Sequence, residues 1–196
     1  MPVVPGKPVD VVCIGSAIVD VISHADESFL AKHSMAKGSM QLIDDDVVHA
    51  LYDDMPPAVE TSGGSAANTA AAVASFGGSV GFIGKVADDV LGEVFTHDIR
   101  AAGVAYDPVK VPTAGPGALA TARCLILVTA DAERTMNTYL GVAGQIEPDD
   151  IDEAVATSAQ VLYTEAYLWD APTAKAALVK AMKAAADAGG KVAFSL

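Results

Sequence analysis

Thr61-Ser62-Gly63-Gly64-Ser65-Ala66-Ala67-Asn68-Thr69-Ala70 is the stretch that decides the fold. Two glycines followed by an alanine-rich run to Phe76, closed by Gly77-Gly78, predict a helix with a glycine turn at each end. Ala66, Ala67, Ala70, Ala71 and Ala74 leave that helix almost without side-chain bulk, so it can lie very close to a neighbouring element. The paired glycines leave open space above its N-terminus, where backbone amides can donate to ligand oxygens. Asn68, about one turn in, adds a donor and an acceptor.

Outward from that helix the chain alternates. Upstream, Asp10-Val11-Val12-Cys13-Ile14-Gly15 reads as a buried strand, and Asp20 follows five residues later. Downstream, Val80 to Val86 reads as the next strand. Asp88 is placed to cap a helix whose apolar face is Leu91, Val94, Phe95 and Ile99. Leu119–Val128 and Arg134–Leu140 read as a hairpin, Pro148 to about Ser158 as a helix, and Val161–Thr164 as a strand. A last helix starts at Pro172 and a last strand at Lys191. Strands alternating with helices of these lengths predict an α/β fold: a mostly parallel sheet covered by helices. Residues 21–43 and 105–127 break the alternation and are expected to form a separate small β layer.

Composition narrows the function. Of 196 residues, 52% are hydrophobic, enough for a real core, and 25 acidic against 12 basic side chains give a net charge of −13. A surface that acidic repels phosphate backbones, which argues against nucleic-acid and anionic-membrane partners. No apolar run reaches the ~18–20 residues of a membrane span. Met1–Lys7 lacks the basic start and apolar stretch of a secretory leader, so a cytoplasmic protein is expected. Cys13 and Cys124 sit in apolar segments without a CxxC and are expected to be buried free thiols. Gly15-Ser16-Ala17-Ile18-Val19-Asp20 lacks the later glycines of a dinucleotide fingerprint, and Ser79 and Val86 spoil a P-loop reading of Gly84-Lys85. No metal site is expected from the four scattered histidines.

What remains is Asp20, at the carboxyl end of the first strand, facing the same crevice as Gly63, Gly64 and Asn68. A carboxylate that accepts from two hydroxyls at once, an amide side chain and glycine N–H groups suit a vicinal diol. The same glycines and alanines equally suit close helix–sheet packing, and Asp20 taken alone reads better as a cap or a solvated acid.

Gly63-Gly64-Ser65-Ala66-Ala67-Asn68, the helix to Phe76, Gly77-Gly78, and Val80-Gly81-Phe82-Ile83-Gly84-Lys85-Val86-Ala87-Asp88-Asp89 with Gly92 closely resemble the N-terminal signature of the PfkB (ribokinase-like) sugar and nucleoside kinases. Val12 to Asp20 resembles that family's opening strand and substrate-hydroxyl Asp. Glu133-Arg134-Thr135-Met136-Asn137 and Leu162 to Leu168 resemble the adenosine-kinase branch. The resemblance implies a three-layer αβα fold with a small β lid made by the two anomalous segments, and phosphorylation of a sugar or nucleoside hydroxyl with ATP and Mg2+. Asp20, Gly63, Gly64 and Asn68 would hold the sugar, with Ser16 beside them. Gln41 and Leu168 would line the base or sugar pocket. Arg134 would lie near the phosphates or brace the lid hairpin, or be a plain surface cation. Lid strands left exposed could pair two copies into a homodimer.

Three departures qualify the resemblance. Ala87 stands where the family usually has Gly, and Ser16 where adenosine kinases tend to have Asn. The family's later Gly-Ala-Gly-Asp segment, which supplies the catalytic base and an anion hole, does not occur in residues 1–196. The implied picture is therefore an N-terminal, acceptor-binding and lid portion of a kinase domain, inactive by itself. The alternative is a binding or dimerising module that performs no transfer; downstream coding sequence would separate the two.

Overall fold

The computed structural model describes residues 8–115 and 117–195; the reading of Met1–Lys7 lies outside them. Along the chain run β1 (Val9–Ile14), β2 (Ile18–His24), α1 (Glu27–Lys32), β3 (Met40–Leu42), α2 (Asp45–Asp54), β4 (Ala58–Gly63), α3 (Ser65–Ser75), β5 (Val80–Ile83), β6 (Lys85–Ala87) and α4 (Val90–Ala101). They are followed by β7 (Ala105–Tyr106), β8 (Val109–Val111), β9 (Ala122–Val128), β10 (Arg134–Tyr139), α5 (Glu153–Ala156), β11 (Ala159–Glu165), α6 (Pro172–Asp187) and β12 (Lys191–Ser195).

The central sheet is parallel throughout, in the order β12-β11-β1-β5-β7. Because strand side chains alternate between faces, Cys13 and Phe82 pack against Ala66, Ala67, Ala70 and Phe95 of α3 and α4. Val12, Ile14 and Leu162 meet Ala174, Ala177, Leu178 and Ala181 of α6 on the other face. This is the expected αβα stack. The alanine face of α3 works as its composition implies. A Cβ at Gly15 would lie 2.5 Å from Ala66 Cβ and 2.7 Å from Glu165 Cδ, so only glycine lets strand and helix approach this closely. Both cysteines are free and buried.

A second, mixed sheet has the order β3-β10-β9-β2-β4. The 9/10 hairpin forms as expected. The membership of this sheet differs from the two predicted segments. Of residues 105–127 only 122–127, nearly all of β9, belong to it, whereas β7 joins the edge of the central sheet and β8 pairs with β6. Strands β4 and β10, outside those segments, complete it. The segment 21–43 also contains α1, capped by Asp26, whose side chain accepts from Phe29 N.

Three local expectations are corrected. Val80 to Val86 is two strands, broken at Gly84, where a Cβ would lie 2.5 Å from the Phe82 ring. The cap of α4 is Asp89 and not Asp88; its carboxylate accepts from Gly92 N at 2.8 Å and from Thr121 N at 2.9 Å. The helix expected from Pro148 to Ser158 is a 3-10 turn at Pro148–Asp150 and the short α5. Ile151, extended and 4% exposed, drops into the core between them, and Asp150 turns to pair with Lys85 at 2.7 Å.

Candidate functional site

Strand β2 lies between β9, parallel to it, and β4, antiparallel to it, which places Asp20 opposite Cys124 and Thr61. Thr138 continues the row on β10, and its hydroxyl donates to Cys124 Sγ at 3.3 Å. Asp20, Cys124 and Thr138 therefore share one face of the second sheet, with Ile18 and Ile126 beside them. That face is only partly covered: Met40 and Leu42, which the register puts in the same rows as Met136 and Thr138, are 47% and 65% exposed.

Asp20 is half-buried, and burial pushes its carboxyl above the ordinary range; the charge of Arg134 pulls it part of the way back. Arg134 is exposed, on the same face of β10 as Thr138. The backbone of Gly63 lies flat against the Asp20 carboxylate, and a Cβ there would overlap both oxygens. Gly64 caps α3 with φ +95°, and a Cβ on it would come 2.6 Å from the Ser16 carbonyl oxygen. The diglycine is thus required on two counts, contact and dihedral.

Gly64 has no side chain with which to cap α3, and Glu165 takes over that role from the end of β11. Its Oε2 accepts from Ala66 N at 2.9 Å and from the Ser65 hydroxyl, and its Oε1 accepts from Ser16 N at 2.7 Å. At 1% exposure this carboxylate is tolerated because three donors meet it, two of them at a helix N-terminus. The Ser16 hydroxyl is buried without a partner among the described residues. Asn68 is exposed, and its backbone N donates to Gly64 O at 2.8 Å. Asn68 thus lies one helical turn beyond the diglycine.

Of the sequence candidates, Ser16, Asp20, Gly63, Gly64 and Asn68 therefore gather around one turn, and Arg134 reaches Asp20 through its field. Two do not join them. Gln41 faces the opposite side of the sheet, where its Nε2 donates to Asn137 Oδ1 at 2.7 Å; strand alternation gives the Asp20 side to Met40 and Leu42 instead. Leu168 is 1% exposed and belongs to the core with Ile14, Ile146 and Leu178, so it lines no open surface.

The residues that sequence reasoning missed are Glu165, Cys124 and Thr138. Glu165 left a signal: it is the one charged residue between Val161 and Leu168, and a carboxylate in a buried strand needs partners. Cys124 and Thr138 are visible only through strand register.

Comparison with known proteins fits this geometry. Residues 9–196 match the pfkB family carbohydrate kinases. The crystal structure of adenosine kinase from Sinorhizobium meliloti superposes with a TM-score of 0.87 at 49% identity, covering 97% of this chain and 57% of that one. A probable sugar kinase protein from Rhizobium etli CFN 42 gives 0.84 at 46% identity, covering 96% and 56%. A 5-dehydro-2-deoxygluconokinase from Shouchella clausii is 36% identical over 142 residues, 68% of this chain and 41% of that protein. The chain thus spans about half the length of the relatives it matches. A parallel αβα core, a second sheet carrying Asp20 and a diglycine at the start of α3 coincide with a match over nearly every residue, and the chain belongs to the pfkB family of carbohydrate kinases.

Proposed function

We propose that this chain is the acceptor-binding portion of an ATP-dependent kinase for a sugar or nucleoside hydroxyl, with a nucleoside preferred. The observation that carries the proposal is the contact between the Asp20 carboxylate and the bare backbone of Gly63, with Asn68 one helical turn beyond. Asp20 accepts from two vicinal hydroxyls. Asn68 adds a donor or acceptor at the rim, and the diglycine turn lets the ring approach the backbone. The charge of Arg134 favours the ionised form of Asp20 and offsets part of the effect of burial. A nucleoside is favoured over a bare sugar because Met40 and Leu42 present exposed apolar surface on the Asp20 side of the sheet, suited to a flat base. The 49% identity to an adenosine kinase supports the same choice. The second sheet would act as the lid that excludes water from the acceptor.

In such a reaction ATP with Mg2+ supplies the transferred phosphoryl group. No three His, Cys, Asp or Glu side chains among the described residues converge closely enough to hold a metal ion. These residues would bind and orient the acceptor, and the chain by itself is proposed to bind without turnover.

A thermal-shift screen with adenosine, ribose and fructose tests this, because a ligand that binds only the folded state raises the melting temperature. Adenosine is expected to give the largest rise. The absence of a rise with all three would contradict the reading.

A further inference from the structure

Arg123 lies on β9, next to Cys124 in sequence and therefore on the reverse face of the second sheet. It is 7% exposed, and its Nε has no hydrogen-bond partner among the described residues. What surrounds the guanidinium is aromatic. Its central carbon is 5.7 Å from the ring centroid of Tyr52 on α2 and 5.9 Å from that of Tyr139, its paired neighbour on β10. An anion would be a poor occupant here. Asp45 and Glu60 already act on Tyr139 and Tyr52, and the whole chain carries −13. The two ring faces are what offset the buried charge.

The position of α2 gives this arrangement its consequence. Strands β3 and β4 are the two opposite edges of the second sheet, and α2 is the segment that joins them, running across the back. At one end Ile43 N donates to Thr138 O at 2.9 Å. At the other, the Tyr52 hydroxyl donates to Glu60 Oε1 on β4 at 2.7 Å. Arg123, on β9 at the centre of the sheet, meets that same Tyr52 and ties this end of α2 to Tyr139 on β10. The edges held in this way are those that carry Met40 and Leu42 on one side of Asp20 and Gly63 on the other.

We infer that Arg123 is a positioning residue: clamped between Tyr52 and Tyr139, it pins α2 across the back of the second sheet and so sets both edges of the Asp20 surface. Its bearing on ligand binding rests on the acceptor reading above. The test below contains no ligand, so its failure counts against Arg123 alone, and failure of the ligand screen counts against the acceptor reading alone.

Amide hydrogen exchange on the chain, read peptide by peptide, decides it. In Arg123→Met, amides of β3 and β4 are expected to exchange about tenfold faster, while β1 and β11 keep their protection. Arg123→Lys, which keeps a cation between the rings, is expected to restore most of the protection at both edges. Tyr52→Leu, which removes one ring and leaves the arginine, is expected to loosen the same two strands. Tyr52→Phe, which keeps the ring and loses only the Glu60 bond, is expected to leave β3 unchanged. Unaltered exchange at β3 and β4 in both Arg123→Met and Tyr52→Leu would overturn the inference. So would acceleration spread equally over β1 and β11, or loosening of β3 in Tyr52→Phe as large as in Tyr52→Leu.

Discussion

Glu165 caps helix α3 across 99 residues of sequence: its Oε2 accepts from Ala66 N at 2.9 Å while its Oε1 holds Ser16 N at 2.7 Å. One buried carboxylate thus ties together the end of β11, the turn after β1 and the start of the helix that follows the diglycine. Glu165→Ala would leave those donors buried and unmatched, and is expected to destabilise the fold by about 2–4 kcal/mol. Glu165→Gln keeps one acceptor but turns an amide NH2 toward a donor, and should cost about half as much. Urea denaturation of the three proteins checks both the order and the size.

Gly63→Ala drives a methyl group into the Asp20 carboxylate. It is expected to cost about 1–3 kcal/mol and to abolish any melting shift with adenosine. Gly77→Ala is the matched control. Gly77 also has a positive φ, +85°, but nothing lies within 4 Å of the added carbon. That variant should lose about 1 kcal/mol from backbone strain and keep its ligand response. Melting curves with and without adenosine distinguish the two.

The raised carboxyl of Asp20 gives stability a pH dependence of known sign. The folded state holds this proton more tightly than the unfolded chain, whose ordinary value is 3.8. The protonated group's contribution is therefore full below that value and is lost as pH rises through the higher folded one. Ligand hydroxyls need the ionised form, so affinity should climb over the same window in which this part of the stability falls. Comparing Asp20→Asn with the parent by denaturation at a series of pH values should show the difference between them shifting toward the variant as pH rises. A constant difference would contradict the assignment.

Lys85 is 8% exposed and pairs with Asp150 at 2.7 Å, fastening β6 to the turn that precedes Ile151. Lys85→Ala strands a carboxylate whose side chain is 11% exposed, and is expected to cost about 3 kcal/mol. Removing both charges, as Lys85→Met with Asp150→Asn, should recover most of that loss. Denaturant midpoints of the single and double variants give the coupling.

Much of the fold was legible because it is local. Alternating apolar runs, the glycines bracketing α3 and Pro172 at the start of α6 each mark an element end through a short-range effect. What was not legible depends on distant pairing. No local pattern says that β4 closes one edge of the second sheet, or that β7 leaves it for the central one. Gln41 went to the wrong face because a three-residue strand has no alternation strong enough to fix which side it shows, and only the Asn137 pairing fixes it. Leu168 is an apolar residue beside an exposed Tyr167, and sequence alone does not separate a pocket wall from a core wall. Asp20 was expected at the carboxyl end of the first strand; it lies instead within β2 of the second sheet, where antiparallel pairing with β4 brings it against Gly63.

The most direct test is titration calorimetry of adenosine into the chain and into Asp20→Asn, an exchange that preserves shape and removes the charge. Binding by the parent with at least about tenfold weaker binding by the variant, equivalent to ~1.4 kcal/mol, is the result this account requires. Equal affinity in the two proteins, both folded, would show that the acceptor is not held by Asp20.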